Sequence, residues 1–420
     1  MSSPAHELTL LVDAPDGLMV RRVPNASLLS TDEELGPAAE SSTRDSAAKW
    51  GLPDFVFLPE QQRQGSGVRE RGDGLVIADG IAALIQVKAR NAVPGSAERE
   101  ASWLTSNINK ATKQAKGSIR HLAHRREKLT SARGRRVEID GALYSWIAVV
   151  IVEHPQPPAD FTPSLEEAGS VPCVVLLRRD WEFLFDHLRS TRAVLHYISR
   201  VAGEEQELGG EPARYTQAAL ADADAQPKEL PDGLRRLAGP AQVAPVYSAP
   251  LAPLEPADDS SMLFRIILED VANTHIGEDS ESDRLELLTA LDTLPASYRP
   301  ELGAALLKFM QSVAQHRGDK VRSESRVFIP YPGDQVPMVF MVASAHFSRA
   351  QPLLSMRTQL LHHEYWSSLQ ESPGSTVGVM LTPSHQKNRA WDTSTIWLKG
   401  PTGLTQEDAR ELRKHITGRI

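Results

Sequence analysis

Hydrophobic and polar positions follow two different periods in the first half of the chain, which indicates a mixture of strands and helices. Short apolar runs of strand length lie at 55–58, 75–77, 81–87, 145–152 and 172–177. Apolar residues three and four positions apart predict helices at 41–50, 107–128 and 180–201. The predicted order is helix, three strands, helix, two strands and helix, which is typical of an α/β fold.

The second half begins with a change of composition. From about 203 to 258 the chain is rich in Pro, Gly, Ala and acids and shows no sustained period, so we interpret it as a linker. Helical and strand patterns then resume and predict a second, smaller α/β domain. At 420 residues, two domains are expected, and we place the first at 1–205, the linker at 206–258 and the second at 259–420.

Composition excludes several classes of protein. The one cysteine, Cys173, lies in an apolar strand pattern, which argues against a disulfide framework and against a cysteine metal site. The N-terminus lacks the pattern of a signal peptide, and no apolar run reaches the length of a membrane span. We therefore expect a soluble, cytoplasmic protein with no membrane partner.

The strongest chemical signal is a predicted hairpin. Its two apolar runs, 75–77 and 81–87, are joined by Asp79-Gly80, a strong hairpin-turn pair. Side chains alternate across a strand, so Gln86 and Lys88 share one face, and the hairpin brings Asp73 opposite them. An acid, an amide and a lysine form a residue set suited to metal-dependent phosphodiester cleavage. The plainer alternative is a strand that emerges into solvent at Gln86 and Lys88.

With Asp73 as the first acid and Gln86-Val87-Lys88 as a (D/E/Q)-x-K element, residues 40–202 resemble the PD-(D/E)xK nuclease superfamily. The Gln form is similar to the Mrr-like branch of restriction enzymes. The resemblance implies a restriction-endonuclease-like mixed sheet flanked by helices. It also implies a metal-dependent nuclease whose catalytic residues are Asp73, Gln86 and Lys88.

That chemistry assigns a role to each residue. Asp73, the Gln86 amide and the Val87 carbonyl are oxygen donors of the kind Mg²⁺ prefers, and Mn²⁺ would substitute. Lys88 would orient the attacking water and counter the developing negative charge. The family often adds an acid from the first helix, for which Glu40 and Asp45 both stay candidates. We interpret Asp79 as a structural turn residue.

Charge favours a nucleic-acid substrate locally. Residues 86–140 contain thirteen Lys and Arg against five acids, although the whole chain has a formal net charge of −8. Such a basic stripe is typical of phosphate binding, while a solvated helix face is the alternative. The predicted nucleic-acid-binding residues are Lys110, Lys113, Gln114, Lys116, Arg120, Arg125 and Arg126, and we expect 133–136 to be a basic loop that adds phosphate contacts.

The sequence thus predicts a metal-dependent DNA nuclease, an endonuclease in restriction, anti-phage defence or DNA repair. The alternative is a catalytically silent nucleic-acid-binding or scaffolding subunit of a larger complex. The C-terminal domain is predicted to sense a trigger, bind a protein partner or form a homo-oligomer. Its element order from 301 resembles that of the first domain, which leaves open a degenerate second copy.

Overall fold

The structure, a computed structural model, describes residues 8–14, 17–58, 62–64, 67–69, 72–225, 234, 259–274, 281–318, 320–330, 336–369, 372–385 and 389–417. The chain divides into two compact units, the first made mainly of residues up to Asp224 and the second mainly of residues from Glu286 onward. Among the described helices, none has both the length and the apolar character needed to cross a membrane.

The first unit is α/β. Its strands are β1 (Leu8–Ala14), β2 (Gly17–Val23), β3 (Val56–Leu58), β4 (Gln62–Gln64), β5 (Gly67–Arg69), β6 (Gly74–Ala78), β7 (Ile81–Ala89), β8 (Arg126–Ser131), β9 (Arg136–Asp140), β10 (Ser145–Glu153) and β11 (Cys173–Leu177). Its helices are α1 (Leu35–Trp50), α2 (Ala97–Leu122), α3 (Arg178–Leu188), α4 (Thr191–Val201) and α5 (Glu211–Asp224).

Seven of these strands form one mixed sheet in the order β11-β10-β7-β6-β3-β8-β9. Strands β7, β10 and β11 run parallel, and the connection from β7 to β10 contains α2 and the β8-β9 pair. The remaining neighbours pair antiparallel. The pairs β1-β2 and β4-β5 form two separate two-stranded sheets.

Strands β6, β7, β10 and β11 are buried on both faces of the sheet, which explains their continuous apolar runs. On one face, Leu84 of β7 and Val150 of β10 pack in a single core with Leu104 and Ile108 of α2. The alternate side chains of the strands point to the other face, where α1 and α4 contact β6 and β7. The end of β7 therefore lies between a helix on each side.

The second unit contains a four-stranded sheet in the order β12-β13-β14-β15. Its strands are β12 (Ser323–Phe328), β13 (Met338–Ala343), β14 (Ser375–Pro383) and β15 (Trp391–Lys399). The remaining helices are α6 (Asp259–Asn273), α7 (Glu281–Asp292), α8 (Arg299–Ala314), α9 (Phe347–Leu369) and α10 (Gln406–Thr417). The α/β class is confirmed for both halves of the chain.

Three predicted segments differ from the structure. Helix α2 ends at Leu122, and the last residues of the helix predicted at 107–128 form β8 instead. The helix predicted at 180–201 is two helices, because Arg189 adopts a left-handed conformation (φ 49°) and Ser190 caps α4. Helix α5 occupies part of the stretch interpreted as a linker, and most of that stretch, 226–233 and 235–258, lies outside the described residues.

Candidate functional site

The predicted hairpin forms as the Asp-Gly pair requires. Asp79 (φ 51°) and Gly80 (φ 71°) both have positive φ, the conformation of a tight turn whose twist matches the strands. The Asp79 carboxylate accepts hydrogen bonds from Arg192 Nε and His196 Nε2, both at 2.7 Å. Asp79 thus fastens the turn to α4, at the end of the hairpin far from Lys88, which agrees with its structural interpretation.

At the open end of the hairpin, Asp73 is held against the Gln-x-Lys strand. Its backbone N–H donates to the Ile85 carbonyl at 3.0 Å, and its Oδ2 accepts from the Val87 N–H at 2.5 Å. Gly74 pairs with Ile85, so Asp73 lies directly opposite Gln86 in the register. The N–H and C=O of one strand residue point to the same side, so the Val87 carbonyl also points toward Asp73.

Gly72 makes this approach possible. Its φ of 133° is one that residues with a side chain rarely adopt. A Cβ at this position would lie 3.3 Å from the Ile85 carbonyl oxygen and 3.4 Å from Gln86 Nε2. The Gln86 amide therefore lies beside the glycine that precedes Asp73.

Gln86 and Lys88 occupy the sheet face that α2 covers. They pair in register with Val150 and Val152 of β10, two residues of the α2-facing core. Gln86 is 5% exposed and Lys88 is half-buried, so the two polar groups do not simply emerge into solvent. Strand geometry places their Cα atoms about 7 Å apart. The structure thus groups Asp73, Gln86 and the Val87 backbone, with Lys88 one step further along the same face.

Helix α1 brings a cation to this site. Arg44 Nη1 donates to the Asp73 carbonyl oxygen at 2.8 Å, an interaction that the sequence analysis missed. Glu40 lies one helical turn before Arg44 and so on the same side of α1, where it is partly buried. Asp45 is exposed and lines a cavity between α1 and α3. Of the two candidate helix acids, Glu40 is therefore the one on the Arg44 side.

Beyond Lys88, the strand is held by a buried ionic cluster. Arg90 donates to Glu100 twice, from Nε at 2.9 Å and from Nη2 at 3.0 Å. The same carboxylate accepts from the Gly95 N–H at 2.8 Å and bonds His154 Nε2 at 3.0 Å. The Trp103 ring packs against both Arg90 and His154. This cluster ties the end of β7 to the first turn of α2 and to the end of β10.

The cluster fixes the charge states of its members. The two Arg90 hydrogen bonds, helped by the Gly95 N–H, lower the pKa of Glu100 to about 2. Burial lowers the pKa of His154 below its ordinary value despite its bond to Glu100. Its Nδ1 accepts from the Gln156 N–H at 3.1 Å, so Nε2 carries the proton and donates to Glu100. A carboxylate with these donors is a structural anchor.

The predicted basic stripe does not converge on the site. Helix α2 starts near the end of β7 and runs away from it, so Lys110 lies about 20 Å along the axis from the first residue of α2. Lys113 pairs with Glu167 at 3.0 Å, and Lys116 donates to the Glu167 carbonyl at 3.3 Å. Gln114 is exposed on the outer side of α2, away from the Asp73 group.

The remaining predicted nucleic-acid-binding residues are Arg120, Arg125 and Arg126. All three are exposed, Arg120 in the last turn of α2 and the other two after its end. Arg126 pairs with Asp140 at 3.1 Å across the β8-β9 hairpin. These residues form an outer surface that is separate from the Asp73 group.

The basic loop predicted at 133–136 is a tight turn with internal partners. Asp54, which is 5% exposed, accepts from Arg133 Nε at 2.6 Å and from Arg135 Nη1 at 3.0 Å. These two guanidinium groups pair with one buried carboxylate, and the expectation that the loop adds phosphate contacts stays a prediction. No local sequence signal could have shown this pairing, because Asp54 lies about 80 positions away.

The donor set fits a magnesium ion in kind, since Asp73, Gln86 and the Val87 carbonyl all offer oxygen. The set carries little negative charge, because Asp73 is the one carboxylate among those donors. Within the described ranges, no group of three or more His, Cys, Asp or Glu side chains could hold a metal ion. A magnesium site here would depend on the amide, the backbone carbonyl and bound phosphate.

Comparison with known proteins found no relative of this chain. No protein-family model, no curated protein and no solved structure matches this chain.

Proposed function

We propose that the first unit is a magnesium-dependent nuclease that hydrolyses DNA phosphodiester bonds, with its active site at Asp73, Gln86, Val87 and Lys88. The observation that carries the proposal is the contact between Asp73 Oδ2 and the Val87 N–H at 2.5 Å. It brings a carboxylate beside the middle residue of a Gln-x-Lys element. The mixed sheet, with a hairpin followed by a helix-containing crossover to a parallel strand, supports a restriction-endonuclease-like fold.

In this proposal, Asp73, the Gln86 amide and the Val87 carbonyl would hold the Mg²⁺ ion. Mn²⁺ would also bind at this site. When bound, the ion would supply Lewis-acid activation of a water and of the phosphate. Lys88 would hold the attacking water and stabilise negative charge in the transition state. Arg44, fixed to the Asp73 carbonyl, would add a second positive charge for the substrate phosphate.

Because the site holds one carboxylate from the hairpin, metal binding in the free protein should be weak and should strengthen with DNA. Glu40, on the Arg44 side of α1, is the better placed of the two helix acids to add a second carboxylate. The settings proposed for such an activity are restriction, anti-phage defence and DNA repair. The second unit is proposed to sense a trigger or to bind a partner or a second copy.

The test is cleavage of supercoiled plasmid by the purified full-length protein in Mg²⁺ or Mn²⁺. Lys88→Ala should abolish nicking while DNA binding, measured separately by gel shift, survives. Nicking that persists in Lys88→Ala at the wild-type rate would reject the assignment and would point to a contaminating nuclease.

A second function is supported by a specific observation. Arg44, a cation, contacts the backbone of the first acid, and no group of three or more His, Cys, Asp or Glu side chains in the described residues could hold a metal ion. Both features suit a catalytically silent subunit that binds nucleic acid or acts as a scaffold in a larger complex. Wild-type protein that binds DNA without nicking it, with Lys88→Ala behaving identically, would establish this alternative.

A further inference from the structure

We propose that a cavity between α1, α3 and residues 24–33 binds a small organic cation with an apolar body. The cavity has a volume of about 640 Å³, within the range of small-molecule sites. It lies within the first unit and is lined by residues other than the Asp73 group. The proposal does not depend on the proposed nuclease activity.

The floor of the cavity, formed by Ser27, Ser42 and Glu182, is held from behind by one buried arginine. Arg178, which is 3% exposed, donates from Nε to Glu153 at 2.5 Å and from Nη1 to Ser42 Oγ at 2.9 Å. Its Nη2 donates to the Ser27 carbonyl at 2.7 Å, and it also pairs with Glu182. These bonds tie the 24–33 segment to α1 and α3. A ligand would therefore enter a site whose floor is set before it binds.

The lining is acidic after its internal pairs are counted. Of its four carboxylates, Glu182 pairs with Arg178, and Asp186 accepts from Trp50 Nε1 at 2.9 Å. Glu33 and Asp45 make no hydrogen bond or ion pair with other residues in the described part of the chain. With Glu182 set against Arg178, three lining carboxylates remain against two lining cations, Lys49 and Arg179, so the lining keeps a net negative charge.

This balance selects the charge of the ligand. A phosphate or carboxylate would be repelled by this excess of carboxylates, whereas an amidinium, guanidinium or ammonium group would donate charge-assisted hydrogen bonds to Glu33 and Asp45. The cavity is therefore unsuited to nucleotides, in contrast to the Lys88 and Arg44 side of the domain.

The walls of the cavity contain apolar side chains that an apolar ligand body would contact. Leu29 and Phe183 line the cavity, and Leu28 at its rim is 99% exposed. A wholly exposed leucine gains free energy when a ligand covers it, at about 25 cal/mol per Å² of apolar area removed from water. A cation on an apolar body satisfies both the acids and these walls.

The test uses three probes of one shape and different charge: benzamidinium, neutral benzamide and anionic benzoate. Binding is measured by isothermal titration calorimetry on the full-length protein. Benzamidinium should bind with a Kd of about 1 mM or tighter and at least about tenfold more tightly than benzamide, and benzoate should not bind. Absence of benzamidinium binding in this range, or equal binding of all three probes, would overturn the proposal.

The site is checked with Glu33→Gln/Asp45→Asn, a double substitution of two exposed side chains. It should lower benzamidinium affinity at least about tenfold, to the level of benzamide, while benzamide binding stays unchanged. Asp32→Asn is the matched control, because Asp32 is an exposed acid on the same segment that does not line the cavity. An equal loss in Asp32→Asn, or no loss in the double variant, would refute the assignment.

Discussion

Substitution of Asp73 separates its chemistry from its structural contact. The carboxylate accepts the N–H of Val87, a residue that is 6% exposed, at the point where the β6-β7 ladder ends. Hydrogen bonds to a charged acceptor contribute about 1.5–3 kcal/mol, and Asp73 is only partly buried. We therefore expect Asp73→Ala to lower the free energy of unfolding by about 1.5 kcal/mol.

Asp73→Asn keeps an oxygen that can accept the Val87 N–H but removes the charge. Neutral hydrogen bonds are about half as strong as charge-assisted ones, so this variant should lose about 0.7 kcal/mol. Its nicking rate should nevertheless fall at least about 100-fold, the equivalent of about 2.7 kcal/mol of transition-state stabilisation. Urea unfolding measures the first quantity, and plasmid nicking in Mg²⁺ measures the second.

Asp79→Asn is the matched control in the same hairpin. It weakens the contacts of the turn with Arg192 and His196 and should lower stability, but it should leave nicking intact. Nicking by Asp73→Asn at the rate of Asp79→Asn would refute a catalytic role for Asp73. Equal stability of wild type and Asp73→Ala would refute its contact with the Gln-x-Lys strand.

Three further substitutions test neighbouring groups. Glu40→Gln should lower nicking at least about tenfold while Asp45→Asn leaves it unchanged, as a plasmid assay would show, and the reverse order would reject Glu40. Arg90 lowers the pKa of Glu100 from 4.5 to about 2. The stability advantage of wild type over Glu100→Gln should therefore be complete above pH 4.5 and lost as the pH falls toward 2. A difference in thermal unfolding that does not change with pH would contradict this. Burial raises the pKa of Asp180 from 3.8 to about 7. Wild type should therefore lose stability relative to Asp180→Asn as the pH rises from 4 to 7, by up to about 4 kcal/mol. Parallel pH profiles of the two proteins in urea unfolding would refute this expectation.

The parts of the fold that the sequence predicted are those set by local pattern. The Asp-Gly pair gives a tight turn with positive φ at both residues, whatever surrounds it. The apolar runs of β7, β10 and β11 are continuous because both sheet faces are covered, and this makes them visible without an alignment. The position of Asp73 opposite Gln86 follows from the same turn, since the turn fixes the register.

The parts that the sequence did not predict depend on distant partners. The residues of β8 are charged and follow a helical pattern, but Leu129 pairs with Val137 in a hairpin that returns against the end of α2. A Cβ at Gly141 would lie 1.9 Å from the Leu122 carbonyl oxygen, so the glycine permits this close return. The Asp54 pairs of the 133–136 turn likewise appear only when the chain has folded.

The second unit provides an internal comparison for the proposed chemistry. Helix α8, the antiparallel pair β12-β13, helix α9 and the parallel strand β14 come in the same order as α1, β6-β7, α2 and β10 of the first unit, where β3 to β5 and the β8-β9 pair are inserted between them. Yet β13 is a run of six buried apolar residues with no Gln-x-Lys at its end. The shared order of elements therefore cannot by itself account for a polar strand end such as the one at Gln86. The polar groups at the end of β7 distinguish the first unit from the second, and the proposed chemistry therefore depends on Asp73, Gln86 and Lys88 and not on the order of the elements.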